Sequence, residues 1–444
     1  MATTTPSNEA IELEAQGDTG LEEGAPPEDT NIKRADISRI ATAGFSFFVA
    51  GVHDGSLGAL IPYITRTYQI STGSIAIIYG TTFSGWLIAF LTNSLLMQYL
   101  SFGTMLILGA TLQLVSHMLR IWLVPFPVFA IAFMFASLGQ AYQDTHANTF
   151  VAGIKTAAHR WLGLIHACYA GGLLVGPFVA TGVASAPQNR WWLFYSFPAF
   201  LSLANLVVTA IAFKPFIGIR LRGRWIGPWT AASKEPMNVS ETKTSVKVAL
   251  KDMQKTMSSR TTWIISIFFL FYLGSVITAS GWIVEYLVVV RGGDLAEMGY
   301  VPAGFNGGAF LGRLLLTEPT QRLGERWTVL SYCIICIGLQ LVFWLVPNII
   351  AASVVVSMMG FFLGPFFAAG VSVASRLFAD DVKSSALSFV FVLGQVGGSV
   401  FPAMTGLIAA KAGVQVLQPT LLGLLSATAC TWMLVPRKTV AHRE

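Results

Sequence analysis

Two aspartates stand inside apolar stretches of this sequence, where a carboxylate is costly to keep. Asp54 follows His53 within the apolar run 47–64, and Asp144 lies in a second apolar run among polar neighbours. A charged side chain at the centre of a bilayer costs about 3 kcal/mol even on the mildest scales, so it persists where it faces water or a partner. Because a histidine beside a carboxylate can exchange protons near neutral pH, the pair predicts proton transfer in an aqueous cavity.

The polar residues around Asp144 recur with the period of a helix. Gln140, Asp144 and Asn148 are four residues apart, so they stack on one helix face and predict a polar stripe directed into a bundle. A structural role is the alternative: Asp54 pairs with His53 or caps a broken helix, and Asp144 is hydrogen-bonded at a helix end. The functional hypothesis assigns proton coupling to His53, Asp54 and Asp144, and solute binding to Gln140, Gln143, Asp144, His146 and Asn148.

The elements that position these residues are membrane-spanning helices. Of the 444 residues, 54% are hydrophobic and 11% are charged, whereas soluble domains contain about 25% charged residues. A helix needs roughly 20 mainly apolar residues to cross the bilayer core, and twelve such runs predict an all-α membrane protein. The runs lie near 40–62, 74–96, 102–123, 127–150, 159–183, 191–213, 262–289, 299–317, 327–346, 349–374, 384–409 and 415–435.

The distribution of basic residues predicts the orientation of the spans. Lysine and arginine concentrate on the cytoplasmic side of membrane proteins. With the N-terminus inside, the inner segments hold 23 of the 28 basic residues, and the outer loops hold Arg66, Arg120, Arg190, Arg291 and Lys411. Both termini and the long polar stretch after the sixth span are therefore predicted to be cytoplasmic.

That polar stretch divides the chain into two sets of six spans. Part of it, 242–257, has the pattern of a basic amphipathic helix on the membrane surface. The N-terminal tail lacks an apolar run, so it cannot bury enough surface to fold. The predicted parts are a disordered cytoplasmic tail at 1–36, a six-helix bundle at 37–213, a basic cytoplasmic linker at 214–260, a second six-helix bundle at 261–436 and a cytoplasmic tail at 437–444.

The layout of six spans, a linker and six spans resembles the major facilitator superfamily. Its signature in the short inner loops is a Gly…Asp-Arg-x-Gly-Arg pattern, which the loop after span 8 matches in part through Arg322, Gly324 and Arg326. The loop after span 2 has diverged, with Gln98 at the acidic position. The resemblance implies two pseudo-symmetric six-helix bundles that move around a central site by alternating access.

The segments around the two aspartates are similar to the fucose–proton symporter branch of that superfamily and to its fungal relatives. The similar blocks are His-Asp-Gly-Ser-Leu-Gly-Ala-Leu-Ile-Pro at 53–62 and Asp-Thr-His-Ala-Asn-Thr-Phe at 144–150. In those transporters an acid in span 1 and an acid in span 4 serve proton coupling and sugar recognition. The resemblance implies these roles for Asp54 and Asp144, while His53 stands where those relatives more often have an asparagine.

Further candidates lie in the second half of the chain. Glu285, near the outer end of span 7, either lines the cavity or reaches the membrane interface. Asn306 in span 8 and Gln395 in span 11 either bind solute or join helices by hydrogen bonds. The residues assigned to a cytoplasmic gate are Arg313, Arg322, Arg326 and Arg376.

Together these features predict a secondary active transporter that moves a small polar, sugar-like solute with protons. The alternatives are a drug-type proton antiporter of the same fold and a non-transporting membrane sensor or scaffold. We expect a multi-pass protein of the plasma membrane or of a vacuolar or other endomembrane, with solute, protons and the lipid bilayer as its partners and a monomeric state.

Other classes of function are disfavoured by the motifs. The sequence has no His-Glu-x-x-His pattern and no nucleotide-binding Gly-Lys-Ser loop, so we expect neither enzyme activity nor a cofactor. Cys333 and Cys336 lie in an apolar segment without a second cysteine pair nearby, which predicts small buried residues and no metal site. The basic residues are not interleaved with aromatic residues in one patch, which argues against nucleic-acid binding.

Overall fold

The computed structural model describes residues 34–154, 158–188, 190–221, 224–228, 254–379 and 383–436. Three predicted parts therefore lie wholly or mostly outside the described residues: the N-terminal tail, the surface helix at 242–257, and the C-terminal tail at 437–444.

The described residues form twelve long helices, which coincide with the twelve predicted spans. Helix α10 is interrupted at Gly364 and Pro365 and consists of the segments Ile349–Leu363 and Phe366–Leu377. The helices are α1 Arg34–Tyr68, α2 Thr72–Leu96, α3 Phe102–Arg120, α4 Phe126–Ala152, α5 Ala158–Ala184, α6 Ser196–Ala212, α7 Arg260–Val289, α8 Val301–Leu323, α9 Glu325–Leu345, α10 Ile349–Leu377, α11 Lys383–Ala412 and α12 Leu417–Leu434.

Within the described residues, eleven helices are long and apolar enough to cross a membrane. The remaining one, α8, has 23 residues but carries Arg313, Glu318 and Arg322 together with several glycines, which lower its hydropathy. Large apolar side chains also cover the outside of the bundle: Phe200 is 69% exposed and Ile350 is 76% exposed. Such surfaces suit lipid rather than water, so the predicted all-α, multi-pass membrane fold is confirmed.

The two halves of the chain repeat the same helix pairings. In the first half α1 packs on α5, α2 on α4 and α3 on α6. In the second half the corresponding pairs are α7 with α11, α8 with α10 and α9 with α12. Glycines bring the pairs close. A Cβ atom on Gly51 would lie 2.1 Å from the carbonyl oxygen of Tyr169, and one on Gly397 would lie 2.0 Å from that of Leu270. Small residues let membrane helices pack backbone to backbone, and here they do so equivalently in both halves.

A short β-ribbon begins the segment that follows α6. Its strands are β1 Ile219–Leu221 and β2 Arg224–Ile226, and they pair antiparallel. The hydroxyl of Ser101 donates to the carbonyl oxygen of Phe216 at 2.6 Å, and the Ser101 N–H donates to that of Gly218 at 2.9 Å. This ribbon, which the sequence pattern did not predict, ties the start of the linker to the loop between α2 and α3.

The halves meet through three helix pairs, α2 with α11, α5 with α8, and α1 with α7. The Thr72 hydroxyl donates to the carbonyl oxygen of Gly406 at 3.3 Å. On α1, a Cβ atom at Gly58 would lie 2.0 Å from the carbonyl oxygen of Ser280 on α7. These contacts lie beyond Asp54, toward the end of the bundle where α1 and α7 end. Because Asp54 is exposed, the space beside it is closed at that end and opens toward the end where α1 begins and α12 ends.

Candidate functional site

Asp54 lies in the middle of α1 and faces the space between the two halves. Its side chain is exposed. Its Oδ2 atom accepts a hydrogen bond from Nε2 of Gln140 on α4 and another from the hydroxyl of Tyr169 on α5, each 2.8 Å long. Among the described residues no basic side chain forms an ion pair with it. The carboxylate is thus oriented by two neutral donors and is not neutralised by a neighbouring cation.

Asp144 lies one helical turn from Gln140 along α4, toward the open end of the cavity. It is half-buried, lies within electrostatic range of Asp54 and has Gln140 within hydrogen-bonding reach. Asn148, one turn further on, has a buried Oδ1 atom without a hydrogen-bond partner among the described residues. The structure therefore brings Asp54, Gln140 and Asp144 together, with the amide of Gln140 between two carboxylates of like charge.

His53 does not share this cavity. It is buried, and its ring centroid lies 5.2 Å from that of His117 and 5.3 Å from that of Phe133. The guanidinium of Arg120 lies 4.3 Å from the Phe133 centroid, so a proton on His53 would add a second positive charge to the same buried site. Successive residues of a helix point about 100° apart, which separates His53 from its neighbour in sequence. The structure therefore does not bring His53 to the Asp54 carboxylate, and a role of His53 in proton coupling stays a prediction.

Two other candidates on α4 join helices instead of lining the cavity. The Oε1 atom of Gln143 accepts hydrogen bonds from Gln113 on α3 at 2.8 Å and from Asn205 on α6 at 3.1 Å. The Nε2 atom of His146 lies 3.0 Å from Oδ1 of Asn93 on α2. Both side chains are buried, so the structure does not bring Gln143 or His146 to the carboxylates.

The three polar candidates of the second half are dispersed. Asn306 donates from Nδ2 to the carbonyl oxygen of Leu173 at 3.0 Å, which joins α8 to α5 across the halves. Glu285 is buried at the closed end of the cavity, within electrostatic range of Arg66 at the end of α1. Gln395 is half-buried on α11. Asn306 therefore joins helices of the two halves, and Glu285 lies near the end of α7, about seven helical turns from where that helix begins.

Three of the four arginines predicted to form a gate are bound within the second half. Arg322 pairs with Glu318 one turn away on α8, and both side chains are exposed. Arg326 donates to the carbonyl oxygens of Met433 at 2.7 Å and Val435 at 2.8 Å, at the end of α12. The third, Arg376, forms an ion pair with Glu325, a buried residue that also accepts a hydrogen bond from Ser372. None of these contacts crosses to the first half among the described residues.

The fourth arginine, Arg313, lies on α8 facing the cavity. Its guanidinium is beside the hydroxyl of Tyr272 on α7 and within electrostatic range of His166 and Tyr169 on α5. Across the same gap, the rings of His166 and Phe367 are 5.9 Å apart. The structure therefore separates Arg313 from the other three arginines of the predicted gate, because its neighbours belong to both halves and line the central space.

Sequence reasoning did not identify Tyr169 as a functional residue. It lies in a run of small residues, Ala-Gly-Gly after it and Ala-Cys before it, which predicts only close helix packing. The close approach of α5 to α1 at Gly51 and Gly55 is what carries its hydroxyl to Asp54. Within the described residues no group of His, Cys, Asp and Glu side chains is arranged to hold a metal ion.

Comparison with known proteins agrees with this architecture. The family model described as Major Facilitator Superfamily matches residues 43–402. The chain is 25% identical over 417 residues to the Saccharomyces cerevisiae Bypass of stop codon protein 6, covering 90% of this chain and 82% of the yeast protein.

Two solved structures illustrate the shared fold. A bacterial homologue of the human lysosomal transporter Spinster, in an inward-facing and unoccupied conformation, superposes with a TM-score of 0.67 and 12% identity over 91% of this chain and 98% of its own. The E. coli fucose:proton symporter FucP superposes with a TM-score of 0.62 and 16% identity over 91% of this chain and 100% of its own. With four-fifths of its length inside the matched family model and with the fold of these transporters, the chain belongs to the Major Facilitator Superfamily of membrane transporters.

Proposed function

We propose that this protein is a proton-coupled secondary transporter that moves a small polar solute by alternating access. Asp54 is the proton-binding residue, and Asp144, Gln140 and Tyr169 form the part of the solute site that the first half contributes. The solute is sugar-like in the sense that it carries several hydroxyl groups, because these side chains offer only hydrogen-bonding oxygens and one amide.

One observation carries this proposal: two carboxylates share a cavity between the halves, and neither forms an ion pair among the described residues. Like charges in one site disfavour ionisation of both groups, so the pair has a reason to bind a proton. An acid inside a membrane transporter that is open to a water-filled cavity is a proton-relay candidate by default. The fucose:proton symporter with the same fold adds support for this type of coupling.

Alternating access requires that the closed end can open and the open end can close. The inter-half contacts at Gly58 and Thr72 lie on one side of Asp54, which suits two bundles that rock about a central site. We also propose that both termini lie in the cytoplasm, on the basis of the 23 basic residues on that side. Cysteines introduced at Gln188 and at Lys243 test this orientation, since an impermeant reagent should label the first and spare the second.

The test of function is transport by the purified full-length chain in proteoliposomes. Counterflow against sugars, polyols and organic acids identifies the solute, and an imposed pH gradient then shows whether protons drive its accumulation. Asp54→Asn mimics the protonated side chain without proton exchange, so it should abolish gradient-driven accumulation and retain solute exchange. Asp144→Asn should instead weaken solute binding.

A matched control uses an aspartate outside the cavity. Asp294→Asn changes the same charge at an exposed loop, where an asparagine side chain can still accept the hydrogen bonds from the N–H groups of Ala296 and Glu297. Its transport should equal that of the wild type. Gradient-driven accumulation at the wild-type level in Asp54→Asn would refute the assignment of the proton site. Accumulation only with the opposite gradient would identify an antiporter.

A further inference from the structure

We propose that Arg313 binds an anionic group of the solute, so that the transported molecule is a polyhydroxylated compound with a carboxylate, such as a sugar acid. This inference rests on the proposed function, because it specifies the class of solute for the same cavity. It goes beyond the sequence-based hypothesis, in which Arg313 belonged to a cytoplasmic gate and the solute was described as small, polar and sugar-like.

The first support is that Arg313 lacks an anionic partner. Its Nε atom is buried without a hydrogen-bond partner, and no carboxylate forms an ion pair with it among the described residues. The neighbouring arginines Arg322, Arg326 and Arg376 all have carboxylate or carbonyl partners. A guanidinium kept in a membrane protein without a negatively charged partner is costly unless a ligand supplies the negative charge.

The second support is where Arg313 points. Its neighbour Tyr272 donates its own hydroxyl hydrogen to the carbonyl oxygen of Leu363 at 3.3 Å and offers Arg313 only a neutral hydroxyl oxygen, so it does not balance the charge of the guanidinium. On the opposite wall Tyr169 is within electrostatic range of Arg313 and donates to Asp54 at 2.8 Å. Tyr169 therefore connects the two sides of the cavity, with carboxylates on the first half and a guanidinium on the second.

These two sides match the two parts of a sugar acid. Hydroxyl groups can donate to Asp54 and Asp144 and accept from Gln140, whereas a carboxylate fits the planar, two-pronged donor set of an arginine. A neutral solute can offer hydroxyl oxygens to Arg313 but no negative charge, so the guanidinium would stay without a counter-charge when the cavity closes, which is unfavourable.

The charges also favour an anion that enters together with a proton. Asp54 and Asp144 repel a free anion, and one bound proton removes half of that negative charge while Arg313 supplies the opposite charge. The bound proton thus offsets the negative charge that the anionic solute brings into the cavity. A neutral solute has no such need for Arg313.

The experiment compares two probes that differ only at C6 of one sugar ring, D-galacturonate and D-galactose. Binding to purified full-length protein is measured by calorimetry for the wild type, Arg313→Gln and Arg313→Lys. Arg322→Gln is the control, because that arginine is exposed and is bound to Glu318. We expect the wild type to prefer galacturonate by about tenfold or more, which is the size of one or two charge-assisted hydrogen bonds.

In Arg313→Gln the preference should disappear through weaker binding of galacturonate, with galactose binding unchanged, and Arg313→Lys should retain part of it. Arg322→Gln should bind both probes as the wild type does. A wild type that binds both probes equally, or binds neither, overturns the inference, as does an equal loss for both probes in Arg313→Gln. If Arg313→Gln does not fold, the wild-type and Arg313→Lys comparisons decide. Galacturonate binding without gradient-driven uptake would contradict the proton coupling and leave this inference intact.

Discussion

Gly58 sets how closely the two halves approach at the closed end of the cavity. A Cβ atom at this position would lie 2.0 Å from the Ser280 carbonyl oxygen and 3.1 Å from Cα of Gly281, whereas Cβ atoms essentially never come within 3.0 Å of another heavy atom. In Gly58→Ala helices α1 and α7 must therefore separate by about 1 Å or the halves must rotate apart, since the obstacle is backbone and cannot change rotamer.

The cost falls on one conformation only. Overpacking a close contact costs about 1–3 kcal/mol, and the opposite conformation, in which this end is open, does not contain the contact. A penalty of about 2 kcal/mol corresponds to a shift of roughly 30-fold in the ratio of the two states. We therefore expect Gly58→Ala to populate the state that is open at the end distant from the termini.

The assay measures the distance across the closed end by double electron–electron resonance. Spin labels are placed at Gln188 and Gln415 in a background that lacks the four native cysteines, which are all free thiols. Gly58→Ala should add or enlarge a long-distance population. Gly163→Ala is the control, because a Cβ atom there has no heavy atom within 4 Å. An unchanged distance distribution in Gly58→Ala would refute the argument that this crossing limits closure.

Three further predictions concern residues that the structure assigns to helix packing. Gln143→Leu leaves the buried donors of Gln113 and Asn205 unpaired, so it should lower stability by about 1–3 kcal/mol in thermal unfolding and leave solute affinity of the folded fraction unchanged. If Gln143→Leu instead lowers the affinity for solute at unchanged thermal stability, Gln143 is a solute ligand. Asn306→Ala removes one hydrogen bond between α5 and α8. The same spin labels should show the ratio of the long-distance to the short-distance population raised about fivefold, which corresponds to about 1 kcal/mol. An unchanged ratio would mean that this bond persists in both states. Glu325→Gln breaks the pair with Arg376 but keeps an acceptor for Ser372, so it should reduce thermal stability modestly and without loss of exchange activity. Complete loss of exchange would show that the pair does act as a gate.

The candidate site was only partly predictable, and the helical period explains which part. The structure brings Gln140 and Asp144 together, as expected for residues four apart on one face of an α-helix. It does not bring His53 and Gln143 to the same cavity, because residues adjacent in sequence on a helix point in different directions. Both residues point toward neighbours inside the first half: His53 on α1 packs against His117, and Gln143 on α4 accepts a hydrogen bond from Gln113.

The sequence by itself determined the twelve helices, since their number and approximate bounds follow from runs of apolar residues long enough for a bilayer. It also determined that Asp54 and Asp144 could not face lipid, because the cost of a charge in hydrocarbon does not depend on the arrangement of the bundle. The tertiary structure alone decided what those charges face. The glycine contacts of α1 with α5 brought Tyr169 to Asp54, and the pairing of α8 with α5 and α7 brought Arg313 to the cavity. Such contacts join residues far apart in the chain, and they depend on backbone approach distances that no local pattern encodes.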